Sequence, residues 1–409
     1  MIPLALDEVR ALCGAALETA PGATVVTGVK VDSRRIEEGD LFVALGDGAD
    51  FRRHAFARGA AATLVPDEPF AALAALAGAV RERSTARFVA ITGSMGKTST
   101  KDILAAICDR QARTIAAERS YNNEIGVPLT LCRVELDTEI CILELAMRGF
   151  GQIAELCTFA RPHIGVITNI APVHLEKVAT LEGVIRAKSE LVEALPPGGT
   201  AIVPAGFAVA RDDLDVVRIG EDVTLESFEP PYLRTSLATV EVDFTARHLA
   251  LNAVTALAAA RALAVAVPEH LEVTFAEWRN QELPLPGGGV LLNDAWNANP
   301  VSVRAALEHL RRLAAGRRRI AVLGEMAELG EYSDEAHREV ARAIEEIGVD
   351  VLISVGERAR VYGGTPVADA DAATEALRGE LRPGDCVLLK GARALGMERI
   401  AVSVAGVTA

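Results

Sequence analysis

Seven residues, Thr92 to Thr98, are the part of this sequence whose types and spacing most directly indicate chemistry. They read Thr-Gly-Ser-Met-Gly-Lys-Thr and lie between an apolar run at 87–91 and a segment, 99–108, whose apolar residues share one helical face. A strand, glycines, a lysine and a hydroxyl in that order are typical of a loop that binds phosphate through backbone N–H groups and a helix N-terminus. We therefore expect ATP here, with Lys97 at the terminal phosphates and Thr98 holding Mg²⁺.

This loop is shorter than the commonest phosphate-binding loop, which has four residues between its glycines. Gly93 and Gly96 are separated by only two residues, which narrows the range of nucleotide-binding families to which the loop could belong. The alternative is an ordinary glycine turn that opens a helix, and the flanking strand and helix argue against it. The residues of this stretch predicted to contact ATP are Gly93, Ser94, Met95, Gly96, Lys97, Thr98 and Ser99.

Three regions of different texture are expected, because 409 residues are too many for one ordinary core. Residues 1–84 alternate short apolar runs with turns and predict a small α/β domain. Residues 85–283 alternate strand and helix patterns, which predicts a mostly parallel sheet covered by helices. The stretch 284–289, Pro-Leu-Pro-Gly-Gly-Gly, is interpreted as a linker that opens a Rossmann-like α/β domain at 284–409. The strand candidates after the loop are 140–143, 164–169, 201–203, 290–293, 320–323, 351–355 and 387–389.

Polar residues follow the central strands, at the edge of an open α/β sheet where ligands bind. Glu144 follows one apolar run and is a candidate Mg²⁺ ligand, and His174 follows the next as a candidate second-metal ligand. Lys188 lies in the helix after that, and it is one of only six lysines among 42 basic residues. Lysines that remain in such a chain are candidates for roles that arginine cannot fill. The alternative for Lys188 is an exposed helix lysine or one paired with Glu190.

Composition excludes several classes of protein. The formal net charge of -14 argues against a nucleic-acid-binding surface, which needs many lysines and arginines. No apolar run is long enough to span a bilayer, and residues 1–10 lack the pattern of a signal peptide, so we expect a cytoplasmic location and no membrane span. The cysteines are scattered and not spaced as metal ligands, which predicts small core residues: Cys13, Cys108, Cys132, Cys141, Cys157 and Cys386. A monomer is the expected state.

Several motifs together resemble the Mur ligases of bacterial cell-wall synthesis. They are the loop at 92–98, Tyr-Asn-Asn-Glu-Ile-Gly-Val-Pro at 121–128, Leu-Glu-Leu-Ala-Met-Arg-Gly at 143–149, and Val-His-Leu-Glu at 173–176 followed by Lys188. Further stretches look most like the members that add D-Ala-D-Ala. These are Val-Asp-Ser-Arg at 31–34, the run at 39–45, Asn-Asp-Ala-Trp-Asn-Ala-Asn-Pro at 293–300, and Leu-Gly-Glu-Met-Ala-Glu-Leu-Gly at 323–330 with His337. The resemblance spans all three regions.

The resemblance implies an ATP-dependent amide synthesis, the last cytoplasmic step in making the peptidoglycan precursor pentapeptide. The carboxylate of UDP-MurNAc-tripeptide is phosphorylated to an acyl phosphate, which the amine of D-Ala-D-Ala then attacks. It further implies two Mg²⁺ ions, one held by Thr98 and Glu144 and a second by His174. Lys188 occupies the place of a lysine that this family commonly carries in carbamylated form, as an anionic metal ligand.

Substrate contacts are also implied by the resemblance. Ser33 and Arg34 are expected at the UDP end, although the loop 46–50 is short and has Ala49 where a histidine is common. Asn122 and Asn123 are further candidates. The adenine pattern His-Asn-x-x-Asn reads His248-Leu249-Ala250-Leu251-Asn252 here, so Asn252 is kept and one amide is lost. In the third region Asp294 and Asn297 are expected at the ATP, and Asn299, Lys390 and Arg393 at the substrates when that domain closes and excludes water. Asn299 and Pro300 also suit a helix start.

Two other interpretations remain open from the sequence. A sister ligase, such as a folylpolyglutamate synthase or the enzyme that adds the third peptide residue, would share the loop, Glu144, His174 and Lys188. The Asp-Asn-Pro-Arg stretch frequent in third-residue enzymes is missing. A non-catalytic ATP-binding subunit would have lost a metal-site residue, and none is lost here. The identity of the third residue of the tripeptide, lysine, ornithine or diaminopimelate, is left open.

Overall fold

The structure is a computed structural model that describes residues 1–14, 16–172 and 175–406. Its first region contains a two-stranded antiparallel pair and a four-stranded mixed sheet. Its elements are β1 (Leu4–Ala5), α1 (Leu6–Cys13), β2 (Ala16–Thr19), β3 (Val25–Val26), β4 (Gly28–Lys30), β5 (Asp40–Val43), α2 (Arg52–Ala57), β6 (Ala62–Val65) and α3 (Pro69–Arg83). The alanine-rich α3 ends this region.

The central region is built on a six-stranded sheet in which every neighbouring pair is parallel, with the order β12-β11-β10-β7-β9-β8. Its elements are β7 (Arg87–Thr92), α4 (Lys97–Cys108), β8 (Thr114–Ala116), α5 (Gly126–Leu131), β9 (Ile140–Glu144), α6 (Gln152–Ala160), β10 (Ile164–Ile167), α7 (Leu175–Val178), α8 (Leu181–Glu193), β11 (Thr200–Pro204) and β12 (Asp215–Ile219). Strands β7, β9, β10 and β11 confirm the predicted ones. Because β10, β7 and β9 are adjacent and parallel, their carboxyl ends bring the phosphate loop, Glu144 and residues 168–172 to one edge.

A small four-stranded sheet follows, which the sequence analysis does not predict. It consists of β13 (Leu225–Glu229), β14 (Tyr232–Thr235), β15 (Thr239–Val242) and β16 (His270–Leu271), with α9 (Arg247–Ala262) between the last two strands. Strands β14 and β15 alternate exposed and buried residues, so they lack the continuous apolar runs of the central strands. Helix α9 packs against α4, which places the long alanine-rich helix beside the phosphate loop.

The C-terminal region has a second six-stranded sheet with the order β17-β18-β22-β19-β20-β21. Its elements are β17 (Gln281–Leu285), β18 (Gly289–Asn293), α10 (Pro300–Ala314), β19 (Arg319–Gly324), α11 (Ser333–Ile347), β20 (Val351–Val355), β21 (Thr365–Val367), α12 (Ala370–Glu380), β22 (Cys386–Lys390) and α13 (Glu398–Ala405). Only β17 is antiparallel to its neighbour, and the other pairs are parallel. The predicted strands of this region are confirmed.

The linker predicted at 284–289 is wrong. Pro284 and Leu285 end β17, and Gly289 begins β18, to which β17 is paired. Gly287 and Gly288 have φ of 80° and 84°, and such positive values suit the tight turn of a hairpin. The proline and glycines therefore form a hairpin at the edge of the third sheet, and the connection between the regions is the irregular segment 272–280.

In the described part of the chain, none of the helices has both the length and the apolar character needed to cross a bilayer.

Candidate active site

The phosphate loop joins the end of β7 to the first turn of α4, and its two glycines have backbone conformations that oppose a side chain. Gly93 has φ 148° and Gly96 has φ 74°. A Cβ on Gly93 would lie 1.9 Å from Thr168 Oγ1, and one on Gly96 would lie 2.4 Å from Asn252 Oδ1. Glycine is needed at both positions because the loop passes this close to its neighbours.

Side chains after β10 hold the loop in shape. Met95 N–H donates to Asn169 Oδ1 at 2.9 Å, and the Thr168 hydroxyl donates to the Met95 carbonyl at 2.5 Å. The Ser94 hydroxyl accepts from Ala171 N–H at 2.9 Å and donates to the carbonyl of the same residue at 3.0 Å. The N–H groups in the first turn of α4 have no partner within the helix, so they are the donors suited to an anion. The hydrogen bonds to residues 168–171 fix the conformation of the loop.

Lys97 is the first residue of α4, and its ammonium donates to the Gly93 carbonyl at 2.8 Å. Burial lowers the pKa of Lys97, the nearby Arg279 charge lowers it further, and the carboxylate of Glu144 opposes both. A lysine surrounded in this way keeps its charge most easily when a second anion approaches, as a phosphate would. This position agrees with the predicted contact to terminal phosphates.

Glu144 ends β9 and is only 1% exposed. The Asn122 amide donates to its Oε1 at 2.7 Å, whereas its Oε2 is buried and accepts no hydrogen bond from the described residues. A bare carboxylate oxygen is costly to bury unless a cation meets it. The hydroxyl of Thr98 lies 3.3 Å from Ser120 Oγ in the same cavity wall. Carboxylate and hydroxyl oxygens are ligands that Mg²⁺ prefers, so these residues fit the metal.

Lys188 is buried in α8, with 2% of its surface exposed. Burial, with the nearby charge of Lys97, lowers its pKa well below the ordinary value, which favours the neutral amine. The alternative pair with Glu190 is wrong, because that carboxylate accepts from Gly151 N–H at 2.6 Å and Ala154 N–H at 3.1 Å at the start of α6. An exposed lysine is excluded as well.

The predicted metal ligand His174 lies outside the described residues. Within 1–14, 16–172 and 175–406, no three His, Cys, Asp or Glu side chains gather into a metal-binding group.

The loop opens into a cavity of about 520 Å³ between the central and C-terminal regions. The predicted site residues that line it are Ser94, Met95, Gly96, Lys97, Thr98, Ser99, Asn122, Glu144, Asn252, Asp294, Asn297, Asn299 and Lys390. The structure thus brings together residues from the phosphate loop and from the strand ends of a second sheet. Asn123 is not among them. Its side chain accepts from Gly126 N–H at 3.0 Å, at the start of α5.

Lys390, at the end of β22, is buried against the turn after β18. Its ammonium donates to Asp294 Oδ2 at 2.5 Å and to the Asn297 carbonyl at 2.9 Å. Lys390 therefore orders the turn that presents Asp294 and Asn297, and its charge is balanced by a carboxylate.

Asn299 caps the start of α10. Its side chain accepts from Ser302 N–H at 2.9 Å, and the Ser302 hydroxyl accepts from Asn299 N–H. This capping box confirms the predicted helix start.

Arg279 is a cavity residue that the sequence analysis missed. Its Nη2 donates to Ser120 Oγ at 3.0 Å, and its Nε is buried without a partner among the described residues. Burial lowers its pKa, while the charges of Glu144 and Asp294 oppose that shift. A guanidinium beside the ammonium of Lys97 suits an anion with several phosphates. Arg279 belongs to an irregular segment and to no recognisable motif, so only the fold reveals it.

The predicted substrate contact Arg393 does not line the cavity. Its guanidinium lies 4.7 Å from the ring centre of Trp278 and 5.3 Å from that of Trp296, and its Nη1 donates to Glu398 at 2.7 Å. The two indole rings are stacked, with centres 5.9 Å apart. Arg393 thus supports the junction between the central and C-terminal regions.

Leu249 and Asn252, two positions of the expected adenine motif, lie on different faces of α9. Leu249, which replaces an asparagine, is 2% exposed and packs in the core beneath α9. Its position on the helix therefore faces away from the cavity. The cavity wall on this helix consists of His248, Leu251, Asn252 and Thr255. The amide of Asn252 lies directly over Gly96, beside the phosphate loop.

The predicted UDP contacts Ser33 and Arg34 lie in the first region, apart from this cavity. The Ser33 hydroxyl is 2.9 Å from His54 Nδ1. The Arg34 guanidinium donates to both carboxylate oxygens of Asp32, and these hydrogen bonds lower the pKa of Asp32 to about 2. The shortened loop forms a 3₁₀ turn at Gly46–Phe51.

Comparison with known proteins agrees with this geometry. Residues 91–260 match the family model of the Mur ligase middle domain, and residues 278–393 match that of the Mur ligase, glutamate ligase domain. A UDP-N-acetylmuramoyl-tripeptide--D-alanyl-D-alanine ligase of Mycobacterium tuberculosis is 33% identical over 98% of this chain and 97% of its own. A crystal structure of MurF from Acinetobacter baumannii has a TM-score of 0.85 at 27% identity, covering 99% of both chains. MurF ligase from Thermotoga maritima in complex with ADP has a TM-score of 0.79 at 25% identity, covering 92% of this chain and 96% of that one.

Proposed function

We infer, from the premise that this chain belongs to the Mur ligase family, that it joins D-Ala-D-Ala to UDP-MurNAc-tripeptide at the expense of ATP. The observation that carries this conclusion is the shared cavity. Lys97, the bare carboxylate oxygen of Glu144 and the turn at Asp294 face one space between two α/β regions. The full-length similarity to D-alanyl-D-alanine ligases supports the choice of substrates.

Activation of the acid is the first chemical step. A carboxylate oxygen of the tripeptide attacks the γ-phosphorus of ATP, the bond from that phosphorus to the bridging oxygen breaks, and ADP leaves. Two anions must approach one another, so positive charge has to be fixed beside them. Lys97 supplies it as an ammonium from the start of α4, and Arg279 supplies it as a guanidinium from the segment that connects the two regions. Both line the cavity.

Amide formation is the second step. The free amine nitrogen of D-Ala-D-Ala, after losing a proton, attacks the acyl carbon, and the carbon–oxygen bond to phosphate breaks to release inorganic phosphate. An acyl phosphate hydrolyses in water, so the site has to exclude water from this intermediate. The enclosing walls come from the C-terminal region, which contributes Asn297, Asn299 and Lys390 to the cavity.

Mg²⁺ would be held by Thr98 and Glu144, with His174 and a carbamylated Lys188 as ligands of a second ion. When bound, the ions neutralise phosphate charge and orient the transferring group. The burial of Lys188, which lowers its pKa, supports the carbamate, because a neutral amine is the form that reacts with CO₂. Ser33 and Arg34 remain the proposed contacts of the UDP end. A cytoplasmic location and a monomeric state are proposed with this function.

The assay that tests the function measures phosphate release with UDP-MurNAc-tripeptides that end in lysine, ornithine or diaminopimelate, with and without D-Ala-D-Ala. We expect release to depend strictly on the dipeptide and to show which third residue is used. Release with a folate and glutamate instead would favour the sister ligase. If ATP binds but no acceptor releases phosphate, the non-catalytic alternative gains support.

The carbamate is tested separately with Lys188→Ala. We expect turnover to fall at least about a hundredfold, because an anionic ligand of the metal site is lost. Lys177→Ala, which changes an exposed lysine on the neighbouring α7, is the matched control and should keep full activity. Wild-type enzyme prepared with little CO₂ should gain activity when bicarbonate is added. Near-normal turnover of Lys188→Ala, or no response to bicarbonate, would exclude the carbamate.

A further inference from the structure

The segment 272–280, which joins β16 to β17 and carries Arg279, is held near α4 at two points, one through Ser120 in the loop after β8 and one directly on the helix. At the first, Arg279 Nη2 donates to Ser120 Oγ, which lies 3.3 Å from the Thr98 hydroxyl. At the second, Ala276 N–H donates to Asp102 Oδ2 at 3.0 Å. Thr98 and Asp102 are four residues apart on α4, so they share one helical face. Helix α4, whose first turn forms part of the phosphate site, therefore also holds the segment that carries Arg279.

Asp102 is an unexpected residue for a purely structural contact. Its side chain is 10% exposed, and its Oδ1 lies 2.6 Å from Lys101 Nζ, which also donates to the Ala117 carbonyl at 2.6 Å. Burial raises the pKa of Asp102, and the charge of Lys101 opposes that shift. A buried ion pair returns little stability beyond what apolar residues of the same size would give.

The backbone on both sides of Arg279 needs to be held in place. Trp278 has φ 62° and Asn280 has φ 48°, so two residues with side chains adopt the left-handed conformation within three positions. Such conformations persist only when the surroundings impose them. Without the hydrogen bond at Ala276, the segment could relax and move the guanidinium.

We propose that Asp102 is a positioning residue, which fixes the 276–280 backbone so that Arg279 points at the phosphates of ATP beside Lys97. Asp102 acts through Arg279 and touches no substrate itself. The inference rests on the proposed function only in assigning the phosphates of ATP to this cavity. Nucleotide binding can therefore test it without amide synthesis.

We call the hydrogen bond from Ala276 N–H to Asp102 the tether. Two double variants that carry no charge at positions 101 and 102 isolate its effect. Lys101→Met with Asp102→Asn keeps an oxygen that can accept from Ala276 N–H, and Lys101→Met with Asp102→Leu removes it at similar size. Binding of the non-hydrolysable analogue AMP-PNP with Mg²⁺ is measured by calorimetry, and KM for ATP and kcat by phosphate release. We expect the asparagine variant to stay within a few-fold of wild type. The leucine variant should bind about tenfold to a hundredfold more weakly, the worth of one charge-assisted contact of Arg279. Equal binding by the two variants would overturn the proposal.

A double-mutant cycle then asks whether the effect passes through Arg279. The leucine change is measured again in an Arg279→Ala background, with thermal unfolding recorded for every variant. Because the tether acts only by positioning the Arg279 guanidinium, its loss should weaken AMP-PNP binding by less than about twofold in the Arg279→Ala background. A full additional loss in that background would overturn the proposal. If the charge-free variants do not fold, Ala276→Pro removes the donor instead and is subject to the same two comparisons.

Failure of the proposed function leaves a different pattern. Wild-type protein would then bind AMP-PNP and respond to the tether variants in calorimetry, yet it would release no phosphate with D-Ala-D-Ala. Loss of the tether effect in calorimetry contradicts the role of Asp102, whatever the acceptor substrate is.

Discussion

Glu144 has one carboxylate oxygen that accepts from Asn122 and a second that is buried and accepts no hydrogen bond from the residues that the structure describes. This asymmetry decides what the residue can do, because a cation has one obvious place to bind. Glu144→Gln would keep an oxygen for Asn122 and place an amide where the cation belongs. We expect kcat to fall at least about a hundredfold and the Mg²⁺ requirement to rise, since even groups that only support a metal ligand are worth about 10–100-fold. A Mg²⁺ titration of phosphate release measures both.

The control for this change is Glu155→Gln, an exposed residue in the first turn of α6. It should alter neither kcat nor the Mg²⁺ requirement. Glu144→Gln keeps the size of the side chain and an oxygen for Asn122, so the variant should stay folded and melt close to wild type in the absence of metal. An inactive variant with a much lower melting temperature would mean that the carboxylate acts on folding and not on the metal.

The candidate site could be predicted from sequence only where its residues are contiguous or follow a strand. The loop 93–99 is recognisable in the sequence because its glycines, lysine and hydroxyl residues must occur in a fixed order. Glu144 is recognisable because it ends an apolar run. Arg279 lies in irregular backbone and meets Ser120, 159 positions away, only after two regions pack together. The position of Arg393 outside the cavity could not be predicted for a related reason. Its two aromatic partners come from other parts of the chain, and no local pattern shows them.

At the scale of elements, α10 begins with a capping box whose asparagine also faces the cavity. Asn299→Ser keeps an N-cap oxygen but removes the amide, whereas Asn299→Ala removes both. We expect the alanine variant to lose about 1 kcal/mol in free energy of unfolding and the serine variant to lose little. Urea unfolding measures this difference.

Activity separates the two roles of Asn299. If the amide binds substrate, both variants should lose kcat/KM to a similar extent despite their different stabilities. A serine variant with full activity would assign Asn299 to helix capping alone.

His163 joins α3, β7 and β10 and makes the stability of the central sheet sensitive to pH. Phe88 N–H donates to its Nδ1 at 3.0 Å, and Arg81 Nη2 lies 3.3 Å from its Nε2. Burial, with the charges of Arg81 and Arg87, lowers its pKa from 6.5 to about 4. Above pH 6.5 the ring is neutral whether the chain is folded or not. Between pH 6.5 and 4 the unfolded chain binds the proton and the folded chain does not, so the free energy of unfolding should fall as pH falls.

The variant His163→Asn tests this effect, because its Oδ1 can accept from Phe88 N–H without titrating. Urea unfolding at pH 7 and at pH 4.5 should show a smaller loss of stability for the variant than for wild type. Carboxylates contribute equally to both proteins, so the difference between them belongs to His163. Equal losses would contradict the role of this histidine.

The elements that the sequence predicted well are those buried on both faces. Strands β7, β9, β20 and β22 are continuous apolar runs, and helices on either side leave no other arrangement. The small sheet β13–β16 was missed because its strands are short and half exposed. The hairpin at 284–289 was mistaken for a linker because proline and glycines mark tight turns and flexible segments alike. Strand pairing decides between the two, and it depends on residues far along the chain.

At the scale of the whole molecule, the cavity resolves a conflict of charge. The chain carries a net charge of -14, yet its proposed substrates are anions. Among the residues that the structure describes, the cations that line the cavity are Lys97, Arg279 and Lys390, and the anions are Glu144, Asp294 and Glu328. Three positive side chains against three negative ones leave little net charge for a triphosphate. Divalent cations are therefore required by the balance of charge as well as by the chemistry.

The two tryptophans of the chain report on this cavity, because Trp278 and Trp296 stack at the junction of the regions and Trp296 also lines the cavity wall. Binding of Mg²⁺–AMP-PNP should shift Arg279, which lies 5.4 Å from the Trp296 ring centre, and so change the intrinsic fluorescence in a saturable way. Trp296→Phe should remove most of the signal. Lys97→Ala should move saturation to higher nucleotide concentration without abolishing it. If calorimetry shows full occupancy while wild-type fluorescence stays constant, nucleotide binding does not reach the junction, and the predicted closure of the C-terminal region over ATP is contradicted.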